Sequence, residues 1–453
     1  MLQGLIMKKS MCLTVISMAC VSASCFADPS IYQNARLYIN TALNRLDAVS
    51  CDKTATQCVA VGFGGEYHLH ERLAYTSQDG GLTWSDPIVL ASPKEEITPV
   101  LNDSPNPANI NCDESGQQCI VTSSAIIERV PTPVVYITKD GGLTWSAPKT
   151  LPLPKGVNKT QVYGNNSLFT AISCDQAGVV CTIAGGLAGD REAVPLIYTT
   201  KNAGEVWKLF SSLRQPSYQA PSSIYHGTSL SGVSCNFSGR NCVAVGNSVI
   251  STSFFSEHYS SHPVAYYTQD GGDHWSKPVV LSMEETDSNA GTLVDVECDG
   301  AGMQCTTIGY IYDFYKTAYQ PFSFTTRNGG VDWDNMNPIT PKEGEYVLNS
   351  MHCDDSGKHC VAVGSEIKHI ATIPFLKPLI YSTNNAGKIW EKDNERPFPT
   401  SAKLNDIFCN NTGERCLAVG AQIDTNSLAA KQLKGLLNQR APFPLHKPQS
   451  LKK

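Results

Sequence analysis

Fourteen cysteines stand in seven pairs with six residues between partners: Cys51 and Cys58, Cys112 and Cys119, Cys174 and Cys181, Cys235 and Cys242, Cys298 and Cys305, Cys353 and Cys360, Cys409 and Cys416. Thiolates so spaced can ligate metal in a reducing compartment or close disulfides in an oxidising one. The other three, Cys12, Cys20 and Cys25, lie in an N-terminal segment that reads as an export signal, so the pairs are expected to be seven disulfides. A second constellation is aromatic: Glu66-Tyr67-His68-Leu69-His70 with Arg72, Phe254-Phe255-Ser256-Glu257-His258-Tyr259, and Tyr310-Ile311-Tyr312-Asp313-Phe314-Tyr315 running on to Tyr319. Tyr163, Tyr218, Tyr225, His226 and Tyr346 join them from the connections between repeated segments. Tyrosine gives contact area at low entropic cost and a hydroxyl for polar partners, so the set suits recognition of a glycan or a protein, although packing of loop on loop is the plainer role for any single member. His68 and His70 have the spacing of a metal-binding pair on one strand face, but no third ligand accompanies them; His258 with His262 is no stronger, and neither metal nor cofactor is expected. No Gly-rich phosphate loop, nucleophile elbow or zinc-enzyme helix motif is present.

The scaffold for these residues is repetitive. First cysteines recur every 55 to 63 residues, the period of a repeat architecture rather than of independent domains. An apolar residue stands two positions before each first cysteine (Val49, Ile110, Ile172, Val233, Val296, Met351, Ile407), the alternation of a half-buried strand. A β-rich run such as Val59-Ala60-Val61-Gly62 or Val361-Ala362-Val363-Gly364 follows each second cysteine, and turn-forming residues lie between, so each pair should staple one hairpin. A bridge closing so short a loop contributes about 2 kcal/mol on chain-entropy grounds. A third strand leads into a turn ending in tryptophan, and a fourth follows, as in Pro87-Ile88-Val89-Leu90. Four antiparallel strands repeated seven times make a seven-bladed β-propeller, all-β, with one disulfide per blade. The seventh cysteine unit has no such turn after it, while Ala35 to Ile39 is a strand-like run without a first half. The N-terminal segment is therefore expected to supply an outer strand of the last blade and close the ring. Residues 434–439 fall at the offset of that blade's third strand, residues 427–439 alternatively read as a short amphipathic helix, and 430–453 as a tail.

The tryptophan-ending turns read Ser77-Gln78-Asp79-Gly80-Gly81-Leu82-Thr83-Trp84 and Thr138-Lys139-Asp140-Gly141-Gly142-Leu143-Thr144-Trp145, with weaker copies ending at Trp207, Trp275, Trp333 and Trp390. The pattern resembles the Asp box, or BNR repeat, of sialidases, sortilin-type receptors, xyloglucanases and photosystem assembly factors. Asn202, Asn328 and Asn385 depart from it at the aspartate, and Val206, His274, Asp332 and Ile389 at the threonine. The resemblance implies a propeller over nearly the whole mature chain, with the boxes structural and away from the ligand face. It also raises a sialidase-like activity. That family holds its substrate's carboxylate with three arginines, one in a Phe/Tyr-Arg-Ile-Pro motif, and uses a tyrosine with a glutamate partner as nucleophile. No Arg-Ile-Pro occurs here, and Arg72, Arg129, Arg191 and Arg214 are expected in loops at non-equivalent positions. Sialidases are also six-bladed, whereas the cysteine count gives seven. Another glycosidase remains open through Glu66, Glu257, Asp313, Glu343 and Glu345.

Bulk properties set the outer bounds. Over 453 residues the hydrophobic share is 41%, the charged share 17% and the net charge −6, which excludes a disordered chain and disfavours nucleic acid as a partner. Lys8 and Lys9 precede the apolar run Met11 to Val21, too short for a membrane span, and small residues lead to Ala27. Residues 1–27 are read as a signal peptide cleaved after Ala27, with translation beginning at Met1 or Met7, and a lipid anchor at Cys20 or Cys25 as the lesser alternative. The expectation is a monomeric single propeller domain over residues 28–453, in the bacterial periplasm or secreted. It binds an extracellular glycan or protein through its aromatic loops and has no catalytic residue, with a glycoside hydrolase as the alternative.

Overall fold

The computed structural model describes residues 20–21, 36–40, 45–64, 71–94, 108–128, 130–154, 168–188, 192–210, 213–216, 225–251, 259–283, 289–313, 318–339, 344–370, 373–393 and 401–422. All regular structure among them is β. Each cysteine pair forms a disulfide across the hairpin joining the first two strands of its repeat unit. The molecule is a β-propeller of small antiparallel sheets carrying seven disulfides.

Side chains of successive residues point to opposite faces of a strand, and here both faces are buried. Val59 and Val61 pack with Ile110, Val121 and Tyr136 of the next unit. Ala60 on the same strand packs with Leu417 and Val419 of the last unit. Corresponding apolar clusters join each remaining pair of consecutive units. This double burial explains why the second strands read as near-continuous apolar runs.

The first strands of consecutive units touch one another around the ring, including Ala402–Cys409 against Arg45–Cys51. Just past each first cysteine, backbone hydrogen bonds run head to tail from unit to unit. The amides of Lys53, Glu114, Gln176, Phe237, Gly300 and Asp355 each donate to the corresponding carbonyl of the next unit, and the Asn411 amide donates to Lys53 O at 3.3 Å.

Strand pairing departs from seven separate antiparallel blades. Five sheets have four strands, and four of these are wholly antiparallel. Units three and four merge into one eight-stranded sheet, because Glu192 and Ala193 pair in parallel with His226 and Gly227. Gly227 permits the approach: a Cβ there would stand 2.2 Å from the Ala193 nitrogen. The last sheet is mixed. Arg36–Asn40 lies directly on Cys416–Gln422 and runs parallel to it, with Cys20–Val21 beyond. The direction follows from connectivity, since residues 41–44 alone link this strand to Arg45–Cys51, and a short link between strands reverses the chain. Cys20 and Val21 fall inside the segment read as an export signal. Residues 427–439 lie outside the described residues.

Candidate functional site

One end of the propeller is uniform. Every disulfide hairpin begins with an Asp or Asn, and in each unit its side-chain oxygen accepts backbone amides of the turn, as Asp52 Oδ1 does from Thr56 at 2.6 Å and Gln57 at 2.9 Å. The tryptophan turns sit beside them, tied by bonds such as Gly80 N to Thr56 O at 2.7 Å. Within these turns Asp140 accepts from the Thr144 amide at 2.9 Å and from its hydroxyl, and Thr138 Oγ1 accepts from Gly142 at 3.0 Å. Those bonds, the Thr144 hydroxyl foremost, hold the Asp140 carboxyl below the usual carboxylate range. Asn202 makes the same acceptor bond to Val206, at 2.9 Å, which is why asparagine can replace the aspartate. Acid and hydroxyl are thus occupied in building the turn.

The opposite end carries the candidate residues. Tyr310 and Tyr312 lie on the strand Cys305–Asp313 and Tyr319 on its hairpin partner Ala318–Thr326, with Tyr312 directly across from Tyr319. The Tyr312 and Tyr319 rings are 4.8 Å apart between centroids, and Tyr310 meets Tyr319 edge-on at 5.3 Å. Tyr312 and Tyr319 keep part of their surface in solvent, whereas Tyr310 is 6% exposed. Burial, with Tyr312 and Glu345 as neighbours, pushes the Tyr319 phenol up to about 12. Tyr319 also packs on the Ile367 and Leu376 cluster of unit six, as does Val347. Tyr346, 5% exposed, sits under Lys392, whose Nζ is 5.0 Å from its ring centroid and 3.2 Å from Glu366.

Arg72 lies in the strand Glu71–Ser77 rather than in a loop. It is 5% exposed and reaches into unit two, donating to Ser124 O at 2.7 Å and Ser123 Oγ at 3.3 Å, with its guanidinium 6.0 Å from the Phe63 ring. Its acceptors come from a neighbouring sheet, which is how a charged strand residue can be buried. Tyr225 and Tyr259 are described through their backbone. Each opens a strand and each is paired with Ser251, so the two flank one strand end on this face. Tyr67, His68, His70, Tyr163, Tyr218, Phe254, Phe255 and Tyr315 lie outside the described residues. Among the described residues no group of three His, Cys, Asp or Glu side chains could hold a metal ion, and no helix is long and apolar enough to cross a membrane.

The first strands bring together a group that the sequence reading passed over. Asp295 and Glu297 of unit five, Ser350 of unit six and Asp406 of unit seven converge where these strands meet, with His352 nearby against the Phe408 ring. Asp295 accepts from the Met351 amide at 2.8 Å and its own Val296 amide at 2.9 Å, and Asp406 Oδ2 from the Val49 amide of unit one at 2.8 Å. The Ser350 hydroxyl donates to Asp406 Oδ1. Protein crowds these carboxylates although they keep some solvent contact. That enclosure, with the Asp406 charge, raises Asp295 to about 7 against the pull of the Met351 amide, and enclosure with the Asp295 charge raises Glu297 well above its ordinary value. Burial lowers His352 to about 4. The available signal was an aspartate three positions before Cys298 and Cys409, where the other units have small or neutral residues.

No family model and no curated protein matches the chain. Among solved structures, an ulvan lyase of polysaccharide lyase family PL25, bound to -[GlcA(1-4)Rha3S]-, is similar over 89% of this chain and 98% of its own, with 9% identity and a TM-score of 0.51. The same lyase in a second structure gives the same values. An α-L-arabinanase from Penicillium chrysogenum complexed with arabinobiose covers 84% of this chain and 94% of its own, at 12% identity and a TM-score of 0.43. At 9% identity the likeness to the lyase establishes the fold, a β-propeller.

Proposed function

We propose that this chain is an exported, monomeric, seven-bladed propeller of the Asp-box type that binds an extracellular glycan through the aromatic face opposite its disulfides. The observation that carries the reading is the Tyr312 and Tyr319 pair, in contact with ring planes tilted by 50°, partly exposed and beside Glu345. Paired phenol rings offer an apolar face to a sugar ring and hydroxyls to its rim. The saccharide named with the similar lyase is consistent with a glycan-directed propeller, and a protein ligand for the same face is the broader form of the proposal.

Seven blades and a closed ring are supported by the apolar clusters that return from unit seven to unit one and by the head-to-tail backbone bonds ending on Lys53. On that view Arg36–Asn40 completes the seventh blade. Seven disulfides suit an oxidising compartment, consistent with residues 1–27 as an export signal and residues 28–453 as one mature domain.

A hydrolase is the second reading, favoured by the closeness of Glu345 to Tyr319. The direction of the phenol's shift opposes it, because a nucleophilic tyrosine needs its proton held less tightly, and here it is held more tightly. Purified protein screened on a glycan array should bind a defined glycan without turning it over. Tyr312→Ala should then weaken that affinity about tenfold or more, a loss of roughly 1.4 kcal/mol, with the melting temperature little changed. Equal binding by wild type and Tyr312→Ala would remove this face from the proposal. Turnover lost in Glu345→Gln would replace binder by enzyme.

A further inference from the structure

Resting on the glycan reading above, we infer that the glycan is an acidic one. Its sugar ring sits on Tyr312 and Tyr319, and its carboxylate or sulfate on Lys368, Lys377 and Lys392, in the cleft between units five and six. The strand faces that meet there define the site. Ile308 of unit five packs with Tyr346, Leu348, Leu379 and Tyr381 of unit six. Tyr310 and Tyr312 lie two and four residues beyond Ile308 on the strand Cys305–Asp313, and so on its face. Tyr319, directly across from Tyr312, shares that face. The three tyrosines therefore look towards unit six, on the side from which Tyr346 looks back.

On unit six, Tyr346 stands directly across from Glu366 of the strand Cys360–Ile370, and Glu366 directly across from Lys377 of the strand Ile373–Thr383. Residues directly across from one another project from one face, so these three side chains lie together. Lys368, two residues beyond Glu366, joins them with its Nζ 3.4 Å from Glu366 Oε1. From the short outer strand Glu391–Lys392, Lys392 reaches over the Tyr346 ring and places its Nζ 3.2 Å from Glu366 Oε2. Glu366 is 8% exposed, whereas the Lys368 side chain is 53% exposed. A buried carboxylate thus holds one ammonium group at each oxygen, at the wall of a cleft open to solvent.

Charge counting on this wall points to an anion. Burial works against ionising Glu366, yet its bonds to Lys392 and Lys368 hold its carboxyl below the ordinary value, so it carries a full negative charge and balances one of three lysines. With Glu345 counted at the Tyr319 end, cations still exceed carboxylates by three to two. The chain as a whole carries −6, so this excess is local and not a consequence of composition. An ammonium group has three protons to donate, and a bond to Glu366 takes one. What remains suits an anionic oxygen, and lysine, as a point charge, accepts a planar carboxylate or a tetrahedral sulfate alike.

The test uses the full exported chain on a glycan array that carries uncharged oligosaccharides beside uronate-containing and sulfated ones. The glycans bound should be acidic, and the uronate and sulfate arms show which acid the lysines take. For the strongest acidic binder, replacing Lys368→Gln and Lys377→Gln together should weaken affinity about tenfold or more and make what remains less sensitive to salt, because fewer charged contacts are left to screen. Lys392→Gln, which keeps a donor for Glu366, should weaken the same binding while the melting temperature stays near that of wild type. Binding confined to uncharged glycans and lost in Tyr312→Ala would leave the glycan reading standing and overturn the acidic one. Acidic glycans held by the double variant as tightly as by wild type, with the same salt dependence, would also overturn it. A chain that binds no glycan on the array would remove the glycan reading and the acidic ligand with it.

Discussion

Replacing Gly364 by alanine is expected to destabilise the protein by about 3–5 kcal/mol, among the largest effects any single change should have here. The first strand of unit six, Glu345–Cys353, carries a bulge between Leu348 and Ser350 that pushes the Val347 carbonyl towards the second strand. A Cβ on Gly364 would stand 1.9 Å from that oxygen and 2.8 Å from Leu348 Cα. Both obstacles are backbone, so no rotamer change relieves them, and the pairing of the two strands would have to shift. The same geometry recurs at Gly62 against Arg45 O at 1.8 Å and at Gly420 against Lys403 O at 1.9 Å. Gly300 is the control. There a new Cβ would meet the Phe237 ring at 2.3 Å, and that ring is 41% exposed and can turn away, so Gly300→Ala should cost less than about 1 kcal/mol. Urea unfolding of the three proteins measures both differences. A Gly364→Ala variant as stable as wild type would mean that the bulge does not direct its carbonyl at this strand.

The glycines are visible in the sequence as the end of Val-Ala-Val-Gly and Leu-Ala-Val-Gly runs, but their reason is not. A bulge is created by pairing between two strands, and pairing is absent from a linear pattern. Cysteine spacing, by contrast, reports local geometry, so seven stapled hairpins can be read directly. Side-chain environment divides along the same line. Tyr310 and Tyr312 have the same residue type and the same strand face and are both paired on either side, yet one is buried and the other, next to the last residue of the strand, is partly exposed. Arg72 reads as a loop cation, and its burial depends on Ser123 and Ser124, which belong to another unit. Asp406 stands out locally only as an aspartate three positions before Cys409, and its role is hidden because its amide partner, Val49, is 357 residues away. The strand-like pattern of Arg36–Asn40 shows that the segment can pair, whereas its parallel course is set by the shortness of its link to the next strand.

Asn405→Ala should lower stability by about 1–3 kcal/mol and raise the unfolding rate more than the same change at Asn349. Both asparagines occupy the bulge of their first strand, and both donate a 2.6 Å bond to a backbone carbonyl of the next unit: Asn349 to Leu404 O and Asn405 to Leu46 O. Locally the bonds are equivalent, and both side chains are buried, so each deletion strands one carbonyl at similar equilibrium cost. The loops they close are different. Asn349 joins residues 55 apart, which the chain keeps near one another, while Asn405 spans 359 and ties the last unit to the first. Chain connectivity does not hold that seam, so it should be the first to part during unfolding, and the interactions that break before the transition state govern the unfolding rate. Hydrogen exchange should accordingly show faster opening of amides in Arg45–Cys51 and Ala402–Cys409 for Asn405→Ala, with Asn349→Ala disturbing Glu345–Cys353 and Ala402–Cys409 less. Equal unfolding rates and equal exchange in the two variants would show that the seam between units seven and one is no weaker than the others, and would shift the weight of closure onto the Arg36–Asn40 strand.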